Sequence, residues 1–227
     1  MSTISDADSK VLTSVIPVNW NLADLKNRIG EIPPERIRLS PPLGCATEDD
    51  VLRVEEEEGL YCELELGVLV EKPMGWYESV LAAIIIGKLN QYLEANPLGL
   101  VTGEGGQLKI LPGVIKIPDA AFISWSRFPK EKVPRRPIPA IIPDLAVEVL
   151  SGTNTRSEMA RKLERYFESG VRLVWYVDPP SRTASVYTSP TAMATIAKDG
   201  CLDGGDILPG FRLSLEELFQ RADQRPE

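Results

Sequence analysis

The chain of 227 residues contains no histidine. Every mechanism built on an imidazole is therefore excluded. Cysteine is scarce: Cys45, Cys62 and Cys201 have no metal-ligand spacing, and an odd number cannot all pair. They read as reduced thiols, the state expected in a cytoplasmic protein. Long apolar runs are missing too. The longest, Val80 to Ile86, is far too short to span a bilayer. The opening decapeptide, Met1-Ser-Thr-Ile-Ser-Asp-Ala-Asp-Ser-Lys10, lacks the charged-then-apolar plan of a signal peptide. A cytoplasmic protein without a membrane partner is the expectation. Positive charge is also short, with 25 Lys and Arg against 33 Asp and Glu for a net charge of −8. Tight autonomous binding to a phosphate backbone is disfavoured, because such binding runs on counterion release by basic residues. The glycine cluster Gly103-Glu-Gly-Gly106 lacks the lysine and hydroxyl of a phosphate loop, and Gly204-Gly205 reads as a turn.

A hydrophobic content of 43% in a chain of this length supports one good core. The expected organisation is an N-terminal helix and proline-rich extended arm over 1–45, followed by a single domain over 46–222. Helices are predicted over Asn19 to Arg28, over Glu48 to Glu56 behind the cap Thr47, from Trp76 or Tyr77 to Ala95, after Thr155 as far as Gly170, and over Ser214 to Arg221. Strands are predicted over Leu64 to Glu71, near Leu100, on both sides of Pro112-Gly113, around Asp119 and Glu148, and over Val171 to Val177 and Thr183 to Tyr187. They do not alternate strictly with helices. A mixed α+β fold, a mixed sheet flanked by helices, is expected.

Three ionisable residues stand where a core-facing segment has no use for charge. Glu148 lies inside Leu145-Ala-Val-Glu-Val-Leu150, a run with the β-branched content of a buried strand. A lone carboxylate buried there would cost several kcal/mol, so it needs a partner. Asp119 follows Pro118 and opens the apolar run Ala120 to Ile123, which marks an edge, a bulge or a strand start. Lys162 sits on the edge of the helical stripe Met159, Leu163, Tyr166 and Phe167, while Arg161 and Arg165 are expected on the opposite, solvent side. Two acids and a lysine converging would form a magnesium-dependent phosphodiesterase site. Hard oxygen ligands would hold the ion, and the lysine would orient or help deprotonate a water or stabilise phosphorane charge. A Glu148–Lys162 ion pair without metal explains the same two residues, Asp119 after proline also suits a turn, and Lys162 could snorkel to water.

These residues also resemble a known family. Pro118-Asp119, Asp144-Leu-Ala-Val-Glu148-Val-Leu-Ser151, Lys162 with Tyr166, and Gly170-Val-Arg-Leu-Val-Trp-Tyr-Val-Asp178-Pro179 are similar to motifs of the Uma-two restriction endonucleases, within the PD-(D/E)XK nuclease superfamily. Upstream, Thr47 to Val51, Tyr61 to Val70 and Lys72 to Ser79 resemble the family's amino-terminal blocks, so the likeness spans roughly residues 30 to 218. The resemblance implies a restriction-endonuclease-like sheet, metal held by Asp119 and Glu148, and Lys162 as catalytic lysine. Glu63, matching a recurrent family glutamate, is the candidate third carboxylate, although the acidic stretch around it also suits a solvated face. The acid-x-lysine of the superfamily reads Glu148-Val149-Leu150 here, so the lysine must come from the following helix. Where many members carry a histidine this chain has Glu78, which also suits the first turn of a helix.

One segment runs against the acidic balance. Arg127, Lys130, Lys132, Arg135 and Arg136 lie between the two acid-bearing strands with Trp125 and Phe128 among them. They form either a nucleic-acid lip beside the metal or a solvated loop. The reading is a Mg²⁺- or Mn²⁺-dependent endonuclease acting on DNA through weak or partner-assisted binding, as a homodimer if it cuts both strands. The alternative is a non-catalytic nuclease-fold module that binds a protein or nucleic-acid partner. A sugar hydrolase is disfavoured by the lack of an aromatic platform or a second acid at a recognisable spacing.

Overall fold

The computed structural model describes residues 20–73, 75–128 and 132–223. Helix α1 (Leu22–Ile29) is capped by Asn21, whose side chain accepts from the amides of Ala23 and Asp24. Asn19, where this helix was expected to begin, lies outside the described residues. The arm then leads to α2 (Glu48–Glu58), opened by a Thr47–Asp50 capping box and closed at the left-handed Gly59. The single strand expected over Leu64 to Glu71 is a hairpin, β1 (Cys62–Glu65) and β2 (Val68–Glu71). Leu66 and Gly67 both take positive φ to make its turn, and a Cβ on Gly67 would meet the Gly44 backbone at 2.4 Å. Only glycine fits there.

Helix α3 (Trp76–Ala95) precedes β3 (Gly99–Gly103), β4 (Leu108–Leu111), β5 (Val114–Lys116) and β6 (Ala120–Ser124). After the long connection come β7 (Leu145–Val149), α4 (Arg156–Ser169), β8 (Leu173–Asp178) and β9 (Thr183–Tyr187). Three short strands not anticipated from sequence, β10 (Met193–Ile196), β11 (Cys201–Asp203) and β12 (Arg212–Ser214), precede α5 (Leu215–Asp223). All three cysteines are free. No helix among the described residues is long and apolar enough to cross a membrane.

The strands form a six-stranded mixed sheet, β10-β9-β8-β7-β6-β3, a four-stranded antiparallel sheet, β2-β1-β5-β4, and the β11-β12 ribbon. The β7–β8 pair is parallel, and α4 makes its crossover. Period-two alternation divides the large sheet. Leu145, Val147 and Val149 face α3 and α5 with Phe122, Trp175 and Phe219, whereas Ala146, Ala121 and Val174 face Met159, Leu163 and Tyr166 of α4. Glu148 shares the parity of Ala146, and Asp119 that of Ala121. Both acids therefore point to the α4 side.

The small sheet lies over the same side. Its Leu64 and Ile115 pack on α2, while Val68 and Val70 receive Leu25 and Ile29 of α1. The chain leaves β5 and enters β6 through Ile117-Pro118-Asp119, so the proline, which cannot donate to a ladder, marks the step from one sheet to the other. Helix α4 is thereby covered by both sheets.

Candidate active site

Asp119 and Glu148 meet because of strand register. Ala120 is paired with Val147, and the Asp119 amide donates to the Val147 carbonyl at 3.0 Å, which carries the ladder on to Glu148. The Asp119 carboxylate accepts from the Val149 amide at 2.6 Å through Oδ2 and lies 2.7 Å from Lys72 Nζ through Oδ1. Lys72, directly after β2, also donates to the Ile117 carbonyl at 2.6 Å.

Lys162 reaches inward from α4 as expected. Its Nζ sits 2.8 Å from Glu148 Oε2 and 2.8 Å from Glu63 Oε1. One turn on, the Tyr166 hydroxyl donates to Glu148 Oε1 at 2.5 Å. Glu63 does come to the site, but its oxygens are already engaged. Oε1 also accepts from the Ile117 amide at 3.1 Å, and Oε2 faces Lys116 Nζ at 3.2 Å. It anchors two lysines, as Asp119 and Glu148 anchor Lys72 and Lys162.

Burial alone would raise the Glu63 carboxyl, but Lys116 and Lys162 outweigh it and hold it well below the usual range. Glu148 goes the other way. Burial, aided by the Asp119 charge, pushes its carboxyl up to about 7 in spite of Lys162 and Lys72. Burial would lower the Lys162 ammonium, yet Glu148 and Glu63 raise it above its ordinary value. It stays protonated across the working pH range, which favours orienting and charge-stabilising roles over proton abstraction.

Behind the site, Lys116 bridges Glu63 to Glu65, 2.9 Å away, and Glu65 accepts from Arg165 Nε at 2.7 Å. The expectation that Arg165 faces solvent is thus wrong. The small sheet covers that side of α4, which the helical pattern of α4 by itself does not reveal. Arg161 donates to the Asn27 carbonyl and keeps about a third of its side chain exposed. Arg36 forks onto Glu158 at 2.8 and 3.0 Å and ties the arm to the first turn of α4.

Arg127 of the basic segment does not join a lip beside Asp119 and Glu148. Antiparallel β6 carries the chain away from Asp119, so Arg127 ends beside Asp144 (2.9 Å) and the Gly170 carbonyl (3.0 Å), at the opposite end of β7 from Glu148. Trp125 donates to the Pro97 carbonyl and packs on Phe128 at the same far end. Lys132, Arg135 and Arg136 are solvent-exposed, and Lys130 lies outside the described residues.

An open pocket gives access to Glu148. Six acids line it, Glu63, Glu78, Glu104, Asp119, Glu148 and Glu158, against three cations, Arg36, Lys72 and Lys162. Glu78 folds back over Gly75, where a Cβ would stand 1.9 Å from its Oε2. No group of three or more acids among the described residues is drawn together as a finished metal cage. The donor set nevertheless suits a hard divalent ion: carboxylate oxygens, an excess of negative charge, and in Glu148 a carboxyl that a nearby cation would relieve.

The model of the Uma2 family, described as "Putative restriction endonuclease", matches residues 48–216. The chain belongs to the Uma2 family. A crystal structure from Anabaena variabilis, described as a "putative nuclease belonging to DUF820", superposes with a TM-score of 0.67 at 20% identity, covering 77% of this chain and 97% of that one. That likeness establishes the shared fold. No curated protein matches. The sequence points to Asp119, Glu148, Lys162 and Glu63, which the fold brings together, and sequence reasoning passes over Lys72, Lys116 and Arg36. Lys116 carried the same signal as Glu148, a charge inside the apolar run Val114 to Ile117. Lys72 carried a fainter one, a lysine closing the apolar strand Val68 to Glu71.

Proposed function

We propose that this Uma2 member is a divalent-metal-dependent endonuclease that hydrolyses phosphodiester bonds in DNA. The observation that carries the reading is the meeting of Asp119, Glu148 and Lys162 at the floor of one acid-rich pocket. Asp119 and Glu148 would hold the ion, with Glu78, which has no hydrogen-bond or ion-pair partner among the described residues, on the lining of the same pocket. When bound, the ion would neutralise charge on the scissile phosphate and acidify a water.

The protein's own groups supply the rest. Lys162, fixed between Glu148 and Glu63, presents a permanent ammonium at the place where phosphorane charge would develop. Tyr166 and Lys162 each hold one Glu148 oxygen, which sets the plane of that carboxylate. Lys72 and the Val149 amide do the same for Asp119. With a net charge of −8, affinity for DNA would be modest and strongly salt-dependent, and cutting both strands would call for a symmetric dimer.

The engagement of each of these carboxylates by internal partners favours a second reading, a nuclease-fold module in which the cluster is purely structural. Cleavage of supercoiled and linear DNA with Mg²⁺ or Mn²⁺ separates the two. Activity lost in folded Glu148→Gln and Lys162→Ala supports the nuclease. No wild-type activity, together with no Mg²⁺ or Mn²⁺ binding dependent on Asp119 and Glu148, supports the module.

A further inference from the structure

A second concavity, a groove of about 480 Å³, begins at Ser151 and Asn154, the same two residues that form one rim of the Glu148 pocket. Its volume is in the range of small-ligand sites. Met159 and Leu163 of α4 give it an apolar floor, and the Tyr176 hydroxyl, donating to the Met159 carbonyl at 2.9 Å, ties β8 to that floor. Half-buried Tyr187 stands edge-on to Tyr176, with ring centroids 5.3 Å apart. Arg156, the first residue of α4, lines the groove and makes no ion pair among the described residues.

We propose that this groove binds the nucleoside next to the scissile phosphate, in unstacked form, with its base against Tyr187 and its phosphate at Arg156. The proposal rests on the phosphodiesterase reading of the adjoining pocket. The groove opens at the Ser151–Asn154 turn, the rim it shares with the Glu148 pocket, so a strand whose phosphate sits at Glu148 reaches it by continuing past that turn. An aromatic ring, an apolar floor and one uncommitted cation are what an unpaired base and its phosphate require, and stacking of this kind tolerates any base. A base held in a duplex stack cannot enter a concave site, so cleavage should favour unpaired or distorted positions over regular duplex.

The test is binding of a short single strand carrying 2-aminopurine, with Ca²⁺ as the divalent ion, read by quenching of the analogue on stacking. Tyr187→Ala should weaken binding about tenfold (1.4 kcal/mol) and abolish the quench, while Tyr187→Phe keeps both. Arg156→Gln, on the exposed first turn of α4, should weaken binding several-fold and flatten its salt dependence without touching the fold. An abasic nucleotide at the analogue's position should cost the wild type the same tenfold and cost Tyr187→Ala nothing further. If wild type and all three variants bind intact and abasic strands alike while the wild type cleaves DNA, the groove proposal is overturned and the nuclease stands. Binding and quench that follow Tyr187 in a protein that never cleaves would keep the groove and remove the nuclease. A wild type that neither binds nor cleaves overturns both.

Discussion

Strand β7 carries a buried acid at each end, and the two live in opposite conditions. Asp144, just before the strand, accepts from the Ser124 amide and from Arg127 Nε, and lies 2.9 Å from Arg127 Nη2. Although burial opposes it, this set of donors holds the Asp144 carboxyl below its usual range. Glu148, four residues on and about 13 Å away along the strand, has Lys162 and Tyr166 but also Asp119 beside it, and burial pushes it up to about 7. Asp144 clamps the entry of β7 to the end of β6, with its charge fully compensated. At Glu148 compensation is left incomplete, beside an open pocket. An incompletely compensated acid is a cost to stability and a reason to bind a cation.

The largest effects should therefore separate the two acids. Glu148→Gln should lower DNA cleavage by at least about a thousandfold, as expected when a group acting on the transition state is removed, while thermal stability holds or rises. Asp144→Asn should do the reverse, with kcat of the folded fraction kept and stability reduced by roughly 1.5–3 kcal/mol through weakened charge-assisted bonds. Urea unfolding and plasmid cleavage on the same preparations check both. Cleavage lost equally in the two variants would erase the distinction.

Lys162→Met comes next. It strips the ammonium shared by Glu148 and Glu63 and leaves two buried carboxylates facing each other, for a loss of about 3–5 kcal/mol. Adding Glu148→Gln removes one of those charges and should recover part of that stability without recovering activity. A pair of substitutions whose effects merely add would argue against the coupling.

Much of this was legible from the residues alone. Short apolar runs placed β6 and β7, and Thr155 and Gly170 bounded α4, because local propensity and capping agree there with the fold. Asp119, Glu148 and Lys162 stood out as charges inside apolar patterns. The rest depended on contacts distant in sequence. Lys116 and Glu63 answer each other across 53 residues, and Arg165 and Glu65 across 100. Nothing local in α4 says that a second sheet covers its Arg165 face. Arg127 lies between two acid-bearing strands in sequence without lying beside Asp119 and Glu148 in space. An antiparallel partner carries the chain to the other end of the sheet. The ribbon β11-β12 is too short, and strand β10 too exposed, to show a period.

A smaller effect should appear with pH. A carboxyl raised in the folded state binds a proton that the unfolded chain, near its ordinary value of 4.5, has already released. Between 4.5 and about 7 the Glu148 contribution to stability therefore falls as pH rises. Asp144 has the opposite sign, because its lowered carboxyl stabilises the fold above its ordinary value of 3.8 and loses that contribution as pH falls through its folded value. Glu148→Gln should thus melt about 2–4 °C above wild type at pH 8, for each kcal/mol released, and level with it at pH 5. Mg²⁺ should narrow the pH 8 gap by stabilising the wild type alone.

The smallest effect tests the basic connection directly. Both ends of the connection that carries Lys132, Arg135 and Arg136 are fastened away from Glu148, at Arg127 beside Asp144 and at Asp144 itself. Midway, the Pro139 carbonyl accepts from the Lys109 amide, and Ile138 packs among Val51, Val54 and Leu64. Replacing Arg135 and Arg136 together by Gln should change cleavage at moderate salt by less than about twofold, with stability unchanged within about 0.5 kcal/mol, as for exposed surface sites. If cleavage instead falls tenfold and its salt dependence flattens by about two phosphate contacts, the connection between β6 and β7 meets the DNA and serves the substrate.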